Sequence, residues 1–198
     1  MFRRVVVERF RLICNLAPLP CEWKALDVGC GSGRYALELA GRGASRVLGV
    51  DFAGEMIRIA EEEAVTRGVA ERCEFRVEPF RDLSTDETFD VVVATGYFDY
   101  IEDPSVDLAL MVNRCRGRIF ASFPKRWEWR VPIRKLRFAL SGSFVRFYGR
   151  GEVLGLFSAA GIGPERLFLV DLGRDWIAVA WCGVPDGDRT GDEGRSSA

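Results

Sequence analysis

Apolar positions along the 198-residue chain change period repeatedly, and those changes divide it into elements. Residues 2–16 carry Phe2, Val5, Val6, Phe10, Ile13 and Leu16 at roughly helical spacing, which predicts an amphipathic helix ended by Pro18 and Pro20. Short apolar runs then alternate with amphipathic stretches. The runs predict strands over 25–30, 46–51, 73–78, 89–96 and 116–123. The stretches predict helices over 34–42, 54–67, Pro104 to about Cys115, and 150–160, the last stopped by Gly161. Helix 54–67 places Met56, Ile59, Ala60 and Ala64 on one side. FDVVVATG (89–96) is apolar nearly throughout, as a strand covered on both faces must be. Residues 166–171 and 176–184 read as a closing hairpin. Such alternation predicts an α/β fold, a doubly wound, mostly parallel sheet of about seven strands with an antiparallel C-terminal hairpin. Residues 1–184 are expected to form one domain. The polar, glycine-rich stretch 185–198 is expected to be a disordered tail.

Composition narrows the chemistry. The apolar fraction is 48% and the formal net charge −1, so no global basic field argues for nucleic acid. No apolar run reaches membrane-spanning length, and arginine and glutamate interrupt the N-terminal stretch where a signal peptide needs apolar residues. The six cysteines (14, 21, 30, 73, 115, 182) contain no C-x-x-C pair, so reduced thiols and a cytoplasmic location are expected, with no metal site. The chain has no histidine, which removes His-based triads and leaves carboxylate, tyrosine, lysine or cysteine for any proton transfer.

The densest signal is ALDVGCGSGRYALELA (25–40), an apolar strand, glycines at 29, 31 and 33, and a helix opening at Arg34. Glycines there permit a sharp turn and let a ligand reach the main chain, while the helix offers unpaired N–H groups and its positive dipole end. A nucleotide-type pocket follows. Arg34 stands where a dinucleotide fingerprint needs its third glycine, and no Gly-Lys-Ser/Thr follows, so neither a pyrophosphate seat nor a P-loop fits.

DVGCGSGRY, the Asp51 that ends the next strand in VLGVDFAGEM, and FDVVVATGYFDYIEDP together resemble the signature series of class I S-adenosylmethionine-dependent methyltransferases, over roughly residues 25–180. The resemblance implies a Rossmann-like fold with S-adenosylmethionine as cofactor. Gly29, Gly31 and Gly33 would admit its methionine part, with Asp27 as a further acceptor for the ammonium. Asp51 would accept the ribose hydroxyls, and Phe52 and Met56 would flank the adenine. Thr95 and Tyr97 would close the site, with the Tyr97 ring suited to the sulfonium. The family's usual adenine-binding acid falls on Pro79, which leaves Glu78 through a shifted backbone, or main-chain groups near Phe80. Asp99 and Tyr100 occupy positions where many relatives carry base or orienting residues. Glu102, Asp103 and Pro104 also read as the cap of the following helix.

Residues 125–150 carry eight basic residues against Glu128, a local charge of +7, interleaved with Trp127, Trp129, Val131, Ile133, Leu136, Phe138 and Leu140. The segment 125–146 reads as a basic lid. It binds an anionic, partly apolar acceptor, or rests on an anionic membrane surface, or is a solvated face. IFASFPKRWEWRVP and the FYGR that precedes the next helix are similar to the carboxyl half of magnesium-protoporphyrin O-methyltransferases. The expected function is methyl transfer to a small-molecule acceptor, lipophilic or anionic. The alternatives are a non-catalytic cofactor-binding module and a protein or RNA methyltransferase.

Overall fold

The computed structural model describes residues 11, 13, 15, 22–126 and 145–183. Seven strands form one sheet: β1 (Lys24–Val28), β2 (Arg46–Asp51), β3 (Cys73–Val77), β4 (Phe89–Ala94), β5 (Cys115–Pro124), β6 (Leu167–Asp171) and β7 (Asp175–Trp181). The helices are α1 (Arg34–Gly41), α2 (Gly54–Thr66), α3 (Pro104–Arg114) and α4 (Arg150–Ala159). The spatial order is β3-β2-β1-β4-β5-β7-β6. β1 to β5 run parallel, and β7 lies antiparallel to both β5 and β6. The doubly wound sheet with its antiparallel ending is therefore present. Order reverses between β1 and β4, and ligands of open α/β sheets bind outside the carboxyl ends of the strands at such a switch point.

Alternation along the central strands divides the core into two layers. Leu26, Val28, Phe89, Val92 and Ala94 face α3 and α4, where Leu108, Met111, Val153 and Phe157 meet them. Ala25, Val47, Val91 and Val93 face the other way, onto Leu37, Leu39 and Ala64 of α1 and α2. Fully burying each such side chain is worth about 1.5–3 kcal/mol, which is why the central strands must be apolar on both faces. Ile13, in the N-terminal helical stretch, is buried in this second layer. The rest of the expected helix 2–16, most of the lid 125–146 and the tail 185–198 lie outside the described residues.

Observed bounds differ from the expected ones at glycines. β1 stops at Val28 because Gly29 turns to φ +66°, and β4 stops at Ala94 ahead of Gly96 at φ +76°. The buried face of α2 is Ile57, Ala60 and Ala64; Met56 and Ile59, expected on that face, are half-buried. Between Phe89 and Val91 the β4–β5 register slips, and a Cβ at Gly117 would lie 2.2 Å from the Asp90 carbonyl oxygen. A residue other than glycine would force the strands apart there.

After β5 the chain forms a neck. Arg126 N–H donates to Tyr148 O (3.1 Å) and Tyr148 N–H to Pro124 O (2.7 Å). Arg126 and Arg146 both reach Glu152, at 3.4 and 2.9 Å. Cys30, Cys73, Cys115 and Cys182 are free thiols. Among the described residues no helix is long and apolar enough to cross a membrane.

Candidate active site

The glycine loop is held from below by two aspartates at strand ends. Asp51 Oδ2 accepts from Gly31 N–H and Oδ1 from Ala53 N–H, both at 2.9 Å. Each carboxylate oxygen keeps a second lone pair for a ligand hydroxyl. Gly29 lines the cleft, and a Cβ on it would meet Tyr97 Cδ2 at 3.0 Å. Gly33 has a different duty: at φ +75° its missing Cβ lets α1 approach Ala60 (2.9 Å) and Phe75 (3.2 Å). Cys30, buried between these glycines with its thiol pushed up by burial, is a filler rather than a nucleophile.

Asp27 lies beneath the loop, 1% exposed. Gly33, the N-cap of α1, has no side chain to offer the helix, and Asp27 Oδ2 instead accepts from Ala36 N–H at 3.0 Å. Its Oδ1 is buried without a hydrogen-bond partner. Burial raises the carboxyl to about 7; the Ala36 bond lowers it and the Asp51 charge raises it further. An orphaned carboxylate oxygen under a glycine cradle fits a cationic ligand group.

The cleft itself is about 800 Å³ and is lined by Gly29, Asp51, Phe52, Met56, Glu78 and Tyr97, among others. Glu78 lies on the cleft wall, next to Pro79. Its N–H donates to Asp51 O (3.0 Å), Arg76 lies 3.7 Å away, and its buried Oε1 makes no hydrogen bond. Phe80 also lines the cleft, yet its ring is buried in the α3 layer. Phe52 and Tyr100 stand on the cleft wall 82% and 62% exposed. Gly31, Gly33, Asp27 and Thr95 are behind or beside the cleft rather than on its lining. Asp99 is likewise off the lining, its carbonyl accepting Arg146 N–H at 2.9 Å. Of the two expected catalytic residues, Tyr100 alone faces the cleft.

Pro79 lines the cleft beside Glu78; several other residues carry no sequence motif that marks them as site residues: Arg81 and Ile101 line the cleft, and Asp107 and Ser122 support it. Tyr97 OH donates to Asp107 Oδ1 (2.9 Å), which raises the phenol beyond the shift due to burial. Arg81 closes on the same carboxylate from the other side, with Nη2 at 2.7 Å from Oδ2. Ser122 Oγ accepts Gly96 N–H at 2.8 Å and fixes the turn before Tyr97. A lone acid among the apolar residues of SVDLALM was the available signal for Asp107.

Residues 25–116 match a family model described as a methyltransferase domain. A probable fatty acid methyltransferase of Pseudomonas putida is 27% identical over 112 residues, which are 57% of this chain and 28% of that protein. A ubiquinone biosynthesis O-methyltransferase of Neisseria meningitidis serogroup A is 36% identical over 97 residues, 48% of this chain and 39% of the relative. The chain therefore spans less than half the length of these relatives. Magnesium protoporphyrin IX methyltransferase from Synechocystis PCC 6803 with bound SAH superimposes with a TM-score of 0.70 at 18% identity, covering 90% of this chain and 82% of the other. Strand order, the glycine loop under the switch point and the matched model agree: residues 25–116 match a methyltransferase-domain model, and the chain shares the fold of the Synechocystis methyltransferase.

Proposed function

We propose that the chain binds S-adenosylmethionine in the cleft above β1, β2 and β4 and transfers its methyl group to a small, largely apolar acceptor. The observation that carries this reading is the convergence of Gly29, Asp51, Glu78 and Tyr97, from four separate strand ends, on one cleft. The residues fit the cofactor group by group. Asp51 supplies acceptors for a ribose diol and Asp27 Oδ1 an unsatisfied acceptor for an ammonium. Glu78 Oε1 supplies one for an amino group, and Phe52 and Met56 supply apolar faces for a flat ring. When bound, S-adenosylmethionine supplies a methyl already activated on a sulfonium, so the protein's work is to hold an acceptor atom in line with it. Proximity of that kind is worth several kcal/mol without any strong base. The absence of histidine is compatible with such a mechanism.

Phe52, Tyr100 and Ile101 give the mouth an apolar character that suits a lipophilic acceptor. The relatives are named for a fatty acid, for ubiquinone biosynthesis and for a magnesium porphyrin, all lipophilic molecules. Tyr100 is the candidate for orienting the acceptor. Asp99 would act through the loop that it anchors. The reading extends to one domain over 1–184 and a cytoplasmic enzyme with no nucleic-acid partner. It also includes peripheral contact with an anionic membrane through the basic residues of 125–146. A methyl-labelled cofactor incubated with the protein and fractions of a lipid extract tests it. Label appearing in an apolar product, with formation of S-adenosylhomocysteine, is the expected result. Tight cofactor binding with no transfer to any fraction would instead favour the non-catalytic module.

A further inference from the structure

We propose that Asp107 is a positioning residue for the cofactor cleft: its buried carboxylate, clamped by Arg81, fixes the Tyr97 ring against the Gly29 loop. The proposal rests on the cofactor reading above and adds to it a residue outside the cleft. Asp107 lies in the first turn of α3 and is fully buried. Arg81 comes from the turn after β3, and Tyr97 from the loop after β4. One carboxylate thus joins three parts of the wall. Arg81 Nε lies 3.1 Å from both Asp107 oxygens, its Nη2 lies 2.7 Å from Oδ2, and the same Nη2 donates to Asp103 O at 2.8 Å. The guanidinium is therefore held on both the carboxylate and the cap of α3. It leaves the Tyr97 hydroxyl as the remaining donor to Oδ1, at 2.9 Å.

The result is a single orientation for the Tyr97 ring. Its hydroxyl is drawn away into Asp107, so the ring is what the cleft meets. Cδ2 lies 3.0 Å from where a Cβ would stand on Gly29. Phe80 and Phe98 meet the ring edge-on, at centroid distances of 6.2 and 5.4 Å. With the carboxylate buried and the guanidinium 46% exposed, desolvation and solvent screening offset most of the attraction, and the pair returns little net stability. What this pair supplies is geometry: the Tyr97 ring held in one place, with Cδ2 beside the main chain of the glycine loop. A ring so fixed meets a bound sulfonium in one orientation, and an aromatic face attracts a cation while having no such preference for a neutral thioether.

The consequence is selective. Tyr97→Phe keeps the ring and cuts the tether; Asp107→Asn keeps the shape and sets an amide N–H against two donors. Titration calorimetry of wild type, both variants and the double variant, with S-adenosylmethionine and S-adenosylhomocysteine, reads the effect. Each single variant should weaken the sulfonium ligand about three- to tenfold more than the thioether. The double variant should shift the ratio no further than either single one, since both act through the same bond. Equal losses for both ligands, or additive effects, would overturn the assignment and leave Asp107 a structural residue. If Asp107→Asn does not fold, Tyr97→Phe alone decides through the ratio. A wild type that binds neither ligand would refute the cofactor reading itself, and this inference with it.

Discussion

Replacing Asp27 with asparagine should flatten the dependence of stability on pH. The fold raises this carboxyl from 3.8 to about 7, burial being the largest cause. A raised carboxyl means that the folded chain holds its proton more tightly than the unfolded chain does. Stability from this group is therefore present below about pH 4 and is lost as pH rises to about 7. The full cost at high pH is about three units at 1.36 kcal/mol each, or about 4 kcal/mol. Between pH 5 and pH 8 about 2 to 3 kcal/mol of it is lost. Asparagine keeps an oxygen for the Ala36 N–H and cannot ionise beside Asp51. Urea unfolding at both pH values, on wild type and variant, isolates the difference from all other titrating groups. The gap between the two proteins should move in the variant's favour by about 2 to 3 kcal/mol from pH 5 to pH 8. Parallel curves would show that Asp27 titrates alike in both states, and the buried-acid account of the loop would be wrong.

Three further outcomes are expected. Asp51→Ala removes the acceptor of Gly31 and Ala53 N–H and should weaken S-adenosylmethionine by about 1.5–3 kcal/mol, at least tenfold by calorimetry. Gly33→Ala places a Cβ 2.9 Å from Ala60 at φ +75° and should lower the urea midpoint, a loss of about 1–3 kcal/mol, whereas Gly43→Ala at φ +98° meets nothing within 4 Å and tests backbone strain alone. Charge reversal at Arg134, Lys135 and Arg137 should reduce sedimentation with anionic vesicles while leaving cofactor affinity unchanged; unaltered sedimentation would support the solvated face.

The sheet was legible because its central strands are apolar on both faces, and a run such as FDVVVA has no other use in a chain of this length. The glycine loop and Asp51 were legible because the ligand, the turn and the helix terminus all impose requirements on neighbouring residues. The support behind the cleft was not. Arg81 and Asp107 are 26 positions apart, and their pairing depends on where α3 crosses the turn after β3. Met56 illustrates a finer limit. Its neighbour Ile57 is buried, and a rotation of one residue about α2 decides which of the two meets the cleft. The same applies to Asp99 and Tyr100, adjacent in a turn whose direction no periodicity records. Gly117 was silent for another reason: the constraint on it is a carbonyl on a different strand.

The neck at 124–126 and 148 has an evolutionary and engineering consequence. Backbone bonds and the shared Glu152 hold Arg126 beside Arg146 and Tyr148, so the described residues that flank the eighteen positions 127–144 lie together. The closure cost of a flexible connection grows by about 0.6 kcal/mol for each doubling of its length, so fixed ends of this kind tolerate a change of length between them. The stretch that departs most in charge from the rest of the chain is therefore the one that can be exchanged most cheaply. Donor chemistry and whatever this segment recognises can then be altered independently, with Glu152 as the joint between them.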